Sequence, residues 1–276
     1  MKKNKAKKDG FFGKHREQVC WPFLLNNTDL LVKHLKEFLS DGKIMYRIPT
    51  EAGEDAALVF PELGPVQALN TVTDSGDGFG LTFIAPLLKG SNFSASISEA
   101  YTWETSALGE FSADIEGKII EFFDPFFALD SKSTEKKPTI SLSAVALHIQ
   151  ELEEKSFVVD KGGMYDYELQ EFLKKNPDKT EKDFQAPVVN LTKESFRMLM
   201  PTKYSSEQEI VAGIEKIEHT SFLGVPIHIL TINLEHGSNN EYFTFPLYVT
   251  DKVLDGYVPK VGDAISGVVW FEGYFN

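Results

Sequence analysis

The strand candidate Asp263–Phe275 is apolar on both faces, and few folds can accommodate such a strand. Successive residues of a strand point to opposite faces, so Trp270 and Tyr274 share one face. Phe271 and Phe275 share the other. A strand of this kind is either central and covered on both sides, or leaves one face open for a partner. The first alternative predicts a buried Trp270, and the second predicts a platform on which a base, a sugar ring or a peptide stacks.

Further short apolar runs bounded by turn residues predict strands along much of the chain. They are Lys43–Ile48, Ala56–Phe60, Val66–Thr73, Gly78–Ala85, Ser94–Trp103, Thr139–Ile149, Val225–Leu234 and Tyr242–Val249. The sequence Asp-Ser-Gly-Asp-Gly at 74–78 is typical of a turn, so we expect the third and fourth of these runs to form a hairpin. The 22 Phe residues also favour β structure, because aromatic residues are enriched in strands.

Two segments have the periodicity of an amphipathic helix. In Thr28–Leu39, the residues Leu31, Leu35 and Phe38 fall on one face. In Tyr165–Leu173, apolar residues recur at helical spacing, and Asn-Pro follows the segment. We therefore predict one helix near the N-terminus and one in the middle of the chain.

A short internal similarity suggests a repeat. Residues 110–119 read EFSADIEGKI and residues 209–217 read EIVAGIEKI. In the second copy Ile217 falls on the wrong face for a regular strand. A bulge of one residue near Glu215-Lys216 would return it to the face of Ile214.

These patterns predict an α+β protein in which antiparallel β structure predominates. Residues 205–276 resemble an OB-type barrel in number of strands and size, and a true repeat would place a related β unit before it. We expect a flexible basic tail at 1–19, an α+β region at 20–104, a β unit with a helical connector at 105–204, and the small barrel at 205–276.

The net charge of −13 opposes binding to nucleic acid, which needs clustered positive charge. The basic start of the chain lacks the apolar run of a signal peptide, and no run has the length of a membrane helix. We therefore expect a cytoplasmic protein of the bacterial type, with no membrane partner and with its single cysteine, Cys20, reduced.

No sequence signature of catalysis is present: there is no P-loop and no G-x-S-x-G motif. A hairpin would bring His219 near His228, with His236 further along, but their spacing matches no closed zinc site. We therefore predict no catalytic residue, no metal site and no cofactor.

The leading hypothesis is a non-enzymatic binding or interaction protein whose partner is a protein or a small ligand. The aromatic residues Trp270, Tyr274, Phe122 and Phe126 are its candidate binding residues. One alternative is an OB-like oligonucleotide-binding protein. A second is a hydrolase whose site is assembled from scattered Asp, Glu and His residues, since such a site leaves no linear motif.

Overall fold

The structure, a computed structural model, describes residues 4–5, 20–49, 54–74, 79–102, 109–126, 137–191, 197–236 and 241–276. The chain divides into two compact units. The larger comprises Met1–Glu151 and Arg197–Asn276, and the smaller, called the insert below, comprises Leu152–Phe196.

Strands make up most of the regular structure, and most neighbouring strands are antiparallel, as predicted. The strands are β1 (Asn4–Lys5), β2 (Lys43–Pro49), β3 (Glu54–Phe60), β4 (Val66–Asp74), β5 (Phe79–Leu88), β6 (Ser91–Thr102), β7 (Gly109–Ile115), β8 (Lys118–Asp124), β9 (Thr139–Glu151), β10 (Lys155–Val158), β11 (Val188–Leu191), β12 (Met198–Pro201), β13 (Glu207–Phe222), β14 (Val225–His236), β15 (Glu241–Val249) and β16 (Ala264–Phe275). The helices are α1 (Trp21–Leu24), α2 (Asp29–Lys33), α3 (Leu35–Asp41), α4 (Gly163–Lys175) and α5 (Asp251–Leu254).

The largest sheet contains two sets of four strands with the same topology. In the first set, β6, β7 and β8 follow one another as antiparallel neighbours, and β9 returns to lie beside β6. In the second set, β13, β14 and β15 do the same, and β16 returns to lie beside β13. A three-stranded meander whose fourth strand returns beside the first is a Greek key.

The two Greek keys share a central ladder, because β9 and β16 pair antiparallel from Ile140–Phe275 to Glu151–Ile265. Each of these strands also borders the third strand of the other key in parallel. Phe123 of β8 pairs with Glu272 of β16, and β15 pairs with β9. The pairings thus close into two rings, β6-β7-β8-β16-β9 (ring 1) and β13-β14-β15-β9-β16 (ring 2). Replacing each strand of one key by the corresponding strand of the other leaves all these pairings and their parallel or antiparallel directions unchanged.

The interior of the rings is one hydrophobic cluster, to which all eight strands and α5 contribute. Phe271 faces this cluster and lies 5.1 Å from Phe245 between ring centroids. Trp270 points to the opposite face of β16, where it packs 4.9 Å from Phe123 in a second cluster that includes Trp21 of α1. The strand predicted to be apolar on both faces is therefore central and covered twice.

Close contact between the two central strands requires a glycine. A Cβ added to Gly267 of β16 would collide with the carbonyl oxygen of His148 on β9. The only residue without a Cβ therefore occupies this position in the ladder.

The N-terminal region forms α1–α3 and a four-stranded sheet in the order β2-β3-β4-β5. The predicted hairpin of β4 and β5 is present, although its turn lies outside the described residues. The helix predicted over Thr28–Leu39 is present, but His34 divides it into α2 and α3. The backbone of His34 leaves the helical region (φ −94°, ψ 4°), and its Nδ1 bonds Glu37 in the first turn of α3 at 2.7 Å.

The insert has its own small structure. β10 and β11 form an antiparallel ribbon, and α4 occupies the place of the helix predicted over Tyr165–Leu173. Tyr165 and Phe172 of α4 each lie 5.4 Å from Phe184 between ring centroids. These aromatic contacts hold the helix to the segment that leads into β11.

The internal similarity does not mark the structural repeat. Residues 110–119 span β7, a turn and the start of β8, whereas residues 209–217 lie within β13, whose topological counterpart is β6. The predicted bulge is nevertheless confirmed, because the register between β13 and β14 shifts at Glu215. Residues 205–276 contribute four strands to ring 2, and β9 supplies the fifth. The domain boundaries expected near 104 and 204 stay a prediction.

Most of the predicted basic tail lies outside the described residues. Within it, Asn4 and Lys5 pair in parallel with Tyr101 and Thr102 at the end of β6. The flexibility of the tail stays a prediction.

We expect the change Trp270→Ala to lower the free energy of unfolding by roughly 3–5 kcal/mol, as large aromatic deletions in cores do. Trp270 is 1 % exposed and contacts Phe123, so its removal leaves a cavity beside the central ladder. Urea unfolding measures the loss. Val261→Ala, at a residue 64 % exposed, is the control and should change stability by less than about 0.5 kcal/mol. Equal unfolding midpoints for Trp270→Ala and wild type would contradict the packing of this strand.

Candidate functional site

Two histidines face each other across the hairpin of β13 and β14. Leu223 and Gly224 connect the strands with left-handed φ values of 50° and 78°. Two such residues form the tight turn that matches the twist of a hairpin and fixes its register. In that register His219 lies directly opposite His228.

The two histidines and Asp251 form a hydrogen-bonded chain. The Nδ1 atoms of His219 and His228 are 3.1 Å apart, and Nε2 of His228 is 2.7 Å from Oδ1 of Asp251, the first residue of α5. A carboxylate only accepts hydrogen bonds, so Nε2 of His228 donates to it. Nδ1 of a neutral His228 then accepts from Nδ1–H of His219, which leaves a lone pair on Nε2 of His219.

The hydrogen-bonded residues run from the carboxylate of Asp251 at one end to the exposed imidazole of His219 at the other. His219 is exposed, and the side chain of Asp251 is 77 % exposed. The middle histidine, His228, is only 21 % exposed, so its orientation is fixed by packing as well as by Asp251. Such an arrangement presents nitrogen lone pairs in a defined geometry near solvent.

The predicted approach of His219 to His228 is confirmed. His236 is eight residues further along β14, which places its backbone about 26 Å from that of His228 at the usual rise of a strand. Asp251 was not predicted from the sequence, because it belongs to a different element and nothing in its local sequence marks it.

Two glutamates with almost no solvent access lie on adjacent strands of ring 1. Glu110 of β7 is 3 % exposed and Glu121 of β8 is 7 % exposed. Ser206 joins them: its hydroxyl donates to Oε1 of Glu110 at 2.8 Å, and its backbone N–H donates to Glu121. The backbone carbonyl of Ser206 accepts from the N–H of Phe271 at 2.7 Å, so this residue also ties both carboxyls to β16.

The buried position changes the protonation of Glu121. Loss of water around the carboxyl, and then the negative charge of Glu110, raise the pKa of Glu121 to about 8, although the N–H of Ser206 opposes the rise. Glu121 is therefore mostly neutral at pH 7.

A third glutamate, Glu272, is fully buried at the centre of β16. The backbone N–H of Leu88 donates to its Oε1 at 2.8 Å, which links β5 of the N-terminal sheet to the central ladder. Burial raises the pKa of Glu272 well above its ordinary value, and the nearby carboxyl of Asp124 raises it further. Glu110, Glu121 and Glu272 are too buried to meet a substrate, so their effect is on stability.

The four aromatic residues predicted to bind a ligand lie in packed surroundings. Phe122, Phe126 and Trp270 are buried, and Tyr274 is half-buried. Phe126 lies 5.9 Å from Tyr274 between ring centroids, in the cluster that covers one face of the N-terminal sheet. Their role in binding stays a prediction.

Within the part of the chain that the structure describes, no three His, Cys, Asp or Glu side chains are placed to share a metal ion. None of the helices described has the length and apolar character that crossing a bilayer requires. Comparison of the sequence with protein-family models gave no match. Comparisons with curated proteins and with solved structures gave none either.

We expect the stability of the protein to fall as pH rises from about 5 to about 8, because of Glu121. Its pKa is about 8 in the folded chain and near 4.5 in the unfolded chain, so between these values the folded state holds a proton that the unfolded state releases. The change Glu121→Gln removes this proton and should reduce the fall by about 1–3 kcal/mol.

Urea unfolding at both pH values measures the effect. Glu209→Gln, at an exposed position on β13, is the matched control and should behave as wild type. Glu272 titrates in the same direction, so part of the fall should remain in Glu121→Gln. Identical pH dependence of Glu121→Gln and wild type would show that Glu121 ionises normally.

Proposed function

We propose that this chain is a non-enzymatic binding protein of the cytoplasm and that the insert is its recognition element for a protein partner. The observation that carries the proposal is the apolar surface of the insert. Val158 and Val188 are directly opposite each other on the β10–β11 ribbon, and they are 61 % and 56 % exposed. Met164 and Tyr167, one helical turn apart on α4, are 54 % and 63 % exposed.

Exposed apolar groups are common singly, but neighbouring pairs on a small unit favour an interaction surface. Among the residues of the insert whose exposure the structure describes, Leu152 is the buried apolar one. A partner that covered the ribbon pair and the helix pair would remove apolar area from water, which is the main favourable term in protein association. The valine pair and the helix pair each offer an apolar contact for side chains of a partner, so this surface suits a peptide or a protein.

We also propose that each ring is a five-stranded barrel of the OB type. Three features support this: five strands in each ring, the Greek-key order of four of them, and α5 between the third and fourth strands of the second key. OB-type barrels bind oligonucleotides with the face of their second and third strands. The topology is thus the one observation that favours the oligonucleotide alternative.

Charge opposes that alternative. In ring 1 the second and third strands are β7 and β8, and the face of these strands that points away from the ring interior holds Glu110 and Glu121, which are buried and offer no positive charge to a phosphate. The chain as a whole carries a formal charge of −13. Phosphate groups are bound by converging lysine and arginine, so this face is unsuited to a nucleic-acid backbone.

The hydrolase alternative rests on the chain of Asp251, His228 and His219. An imidazole bonded in this way to a carboxylate is the arrangement of a general base. Hydrolysis at this site would require the ring of His219. A hydrolytic activity of the wild-type chain that is lost in His219→Gln would therefore distinguish a hydrolase from a binding protein.

We expect the double variant Val158→Lys/Val188→Lys to lose peptide binding. Peptides are first selected from a random phage-displayed library against the wild-type chain, and their affinities are then measured by biolayer interferometry. The loss should be at least about tenfold, because two charges would replace the apolar centre of the surface. Val258→Lys/Val261→Lys, at residues 71 % and 64 % exposed outside the insert, is the matched control and should bind as wild type. Peptides that bind both double variants equally would contradict recognition by the insert.

Fluorescence anisotropy with labelled oligothymidylate and oligouridylate tests the oligonucleotide alternative. We expect no saturable binding at physiological salt, because the chain carries a formal charge of −13 and phosphate binding needs converging lysine and arginine. Binding that saturates and weakens as salt is added would instead place the oligonucleotide alternative first.

A further inference from the structure

The facing nitrogens of His219 and His228 are spaced as two ligands of one metal ion. Their Nδ1 atoms are 3.1 Å apart. An ion bonded to both at the usual zinc–nitrogen length of about 2.0–2.1 Å would have an N–metal–N angle of about 95–100°. That angle is close to those of neighbouring ligands in tetrahedral, square-planar and octahedral complexes.

We propose that His219 and His228 bind a divalent ion of the late first-row metals, Cu²⁺ or Zn²⁺, through their Nδ1 atoms. Water molecules complete the coordination, because the two histidines are the only ligands we assign. Imidazole nitrogen suits these ions, whereas Mg²⁺ and Ca²⁺ prefer oxygen ligands. The site is therefore open and exchangeable, unlike a closed structural zinc site.

The backbone already holds the two ligands in place. The turn at Leu223-Gly224 fixes the register, and paired residues continue on both sides of the histidines, from Thr220–Ile227 to Glu218–Ile229. Little conformational entropy is then lost on binding, which is the main cost of assembling a site from mobile side chains.

Asp251 selects the tautomer that the site needs. Its carboxylate accepts from Nε2–H of His228, so Nδ1 of His228 carries the lone pair. A carboxylate behind a metal-binding histidine is a recurring arrangement that orients the ring and strengthens it as a ligand. Asp251 bonds the far side of the ring and is a positioning residue, not a ligand.

Metal binding replaces the hydrogen bond between the histidines without net loss of a proton. In the free protein, Nδ1–H of His219 donates to His228. When a neutral His219 shifts its proton to Nε2, which is on the exposed side of the chain, both Nδ1 atoms offer lone pairs to the ion. The two nitrogen–metal bonds then take the place of one hydrogen bond and two metal–water bonds.

Titration with Cu²⁺, followed by electron paramagnetic resonance, tests the proposal directly. We expect one Cu²⁺ per chain, with nitrogen hyperfine structure from two imidazoles. His219→Gln and His228→Gln should each lose this signal. Asp251→Asn should weaken binding by about 10- to 100-fold, because an amide can also donate to Nε2 and no longer selects the required tautomer.

His148→Gln, which removes an exposed histidine of β9, is the matched control and should keep the signal of wild type. Zn²⁺ should compete with Cu²⁺ for the site in wild type and in His148→Gln. Two results overturn the proposal: no stoichiometric binding by the wild-type chain, or equal binding by wild type, His219→Gln and His228→Gln. The Cu²⁺ signal and the competition by Zn²⁺ are both independent of peptide binding by the insert.

Discussion

The antiparallel ladder between β9 and β16 is the constraint on which the larger unit depends. Each of these strands ends one Greek key and borders the third strand of the other, so removing either strand would open both rings. Each strand is paired on both sides, and near its middle the side chains on both faces are buried. The middle of such a strand must carry apolar residues on both faces, which explains why Trp270 and Phe271 are adjacent in the sequence.

Glu121 and Glu272 are tolerated in this core because burial favours their neutral forms. An ionised carboxylate without water costs far more than a protonated one, so burial shifts the equilibrium toward the acid form. Glu272 at the centre of β16 and Glu121 on β8 both follow this rule. The formal charge of −13 counts both as ionised and therefore overstates the negative charge of the folded chain at neutral pH.

Local features of the sequence predicted local structure well. The hairpin of β4 and β5, the helix in the insert and the bulge at Glu215 depend on residues close together in the chain, and so does the approach of His219 to His228. The pairing of β9 with β16 joins segments more than a hundred residues apart, and apolar alternation specifies a buried face without naming its partner. The internal similarity did not locate the structural repeat, because strands at different places in the topology can share the same alternation of buried and exposed residues. The buried glutamates could not be predicted, because nothing in the sequence distinguishes them from the others among its 41 acidic residues.

The closure of each ring by the last strand of the other key has a consequence for how the chain assembles. In their connections the two Greek keys are equivalent to a strand-exchanged dimer whose two subunits are joined by the segment that contains Leu152–Phe196. The covalent link makes the exchange intramolecular, so closure of the rings depends on effective concentration and not on the amount of protein present. A chain cut between the keys would consist of two fragments with complementary open edges, and each fragment would need the other as its partner.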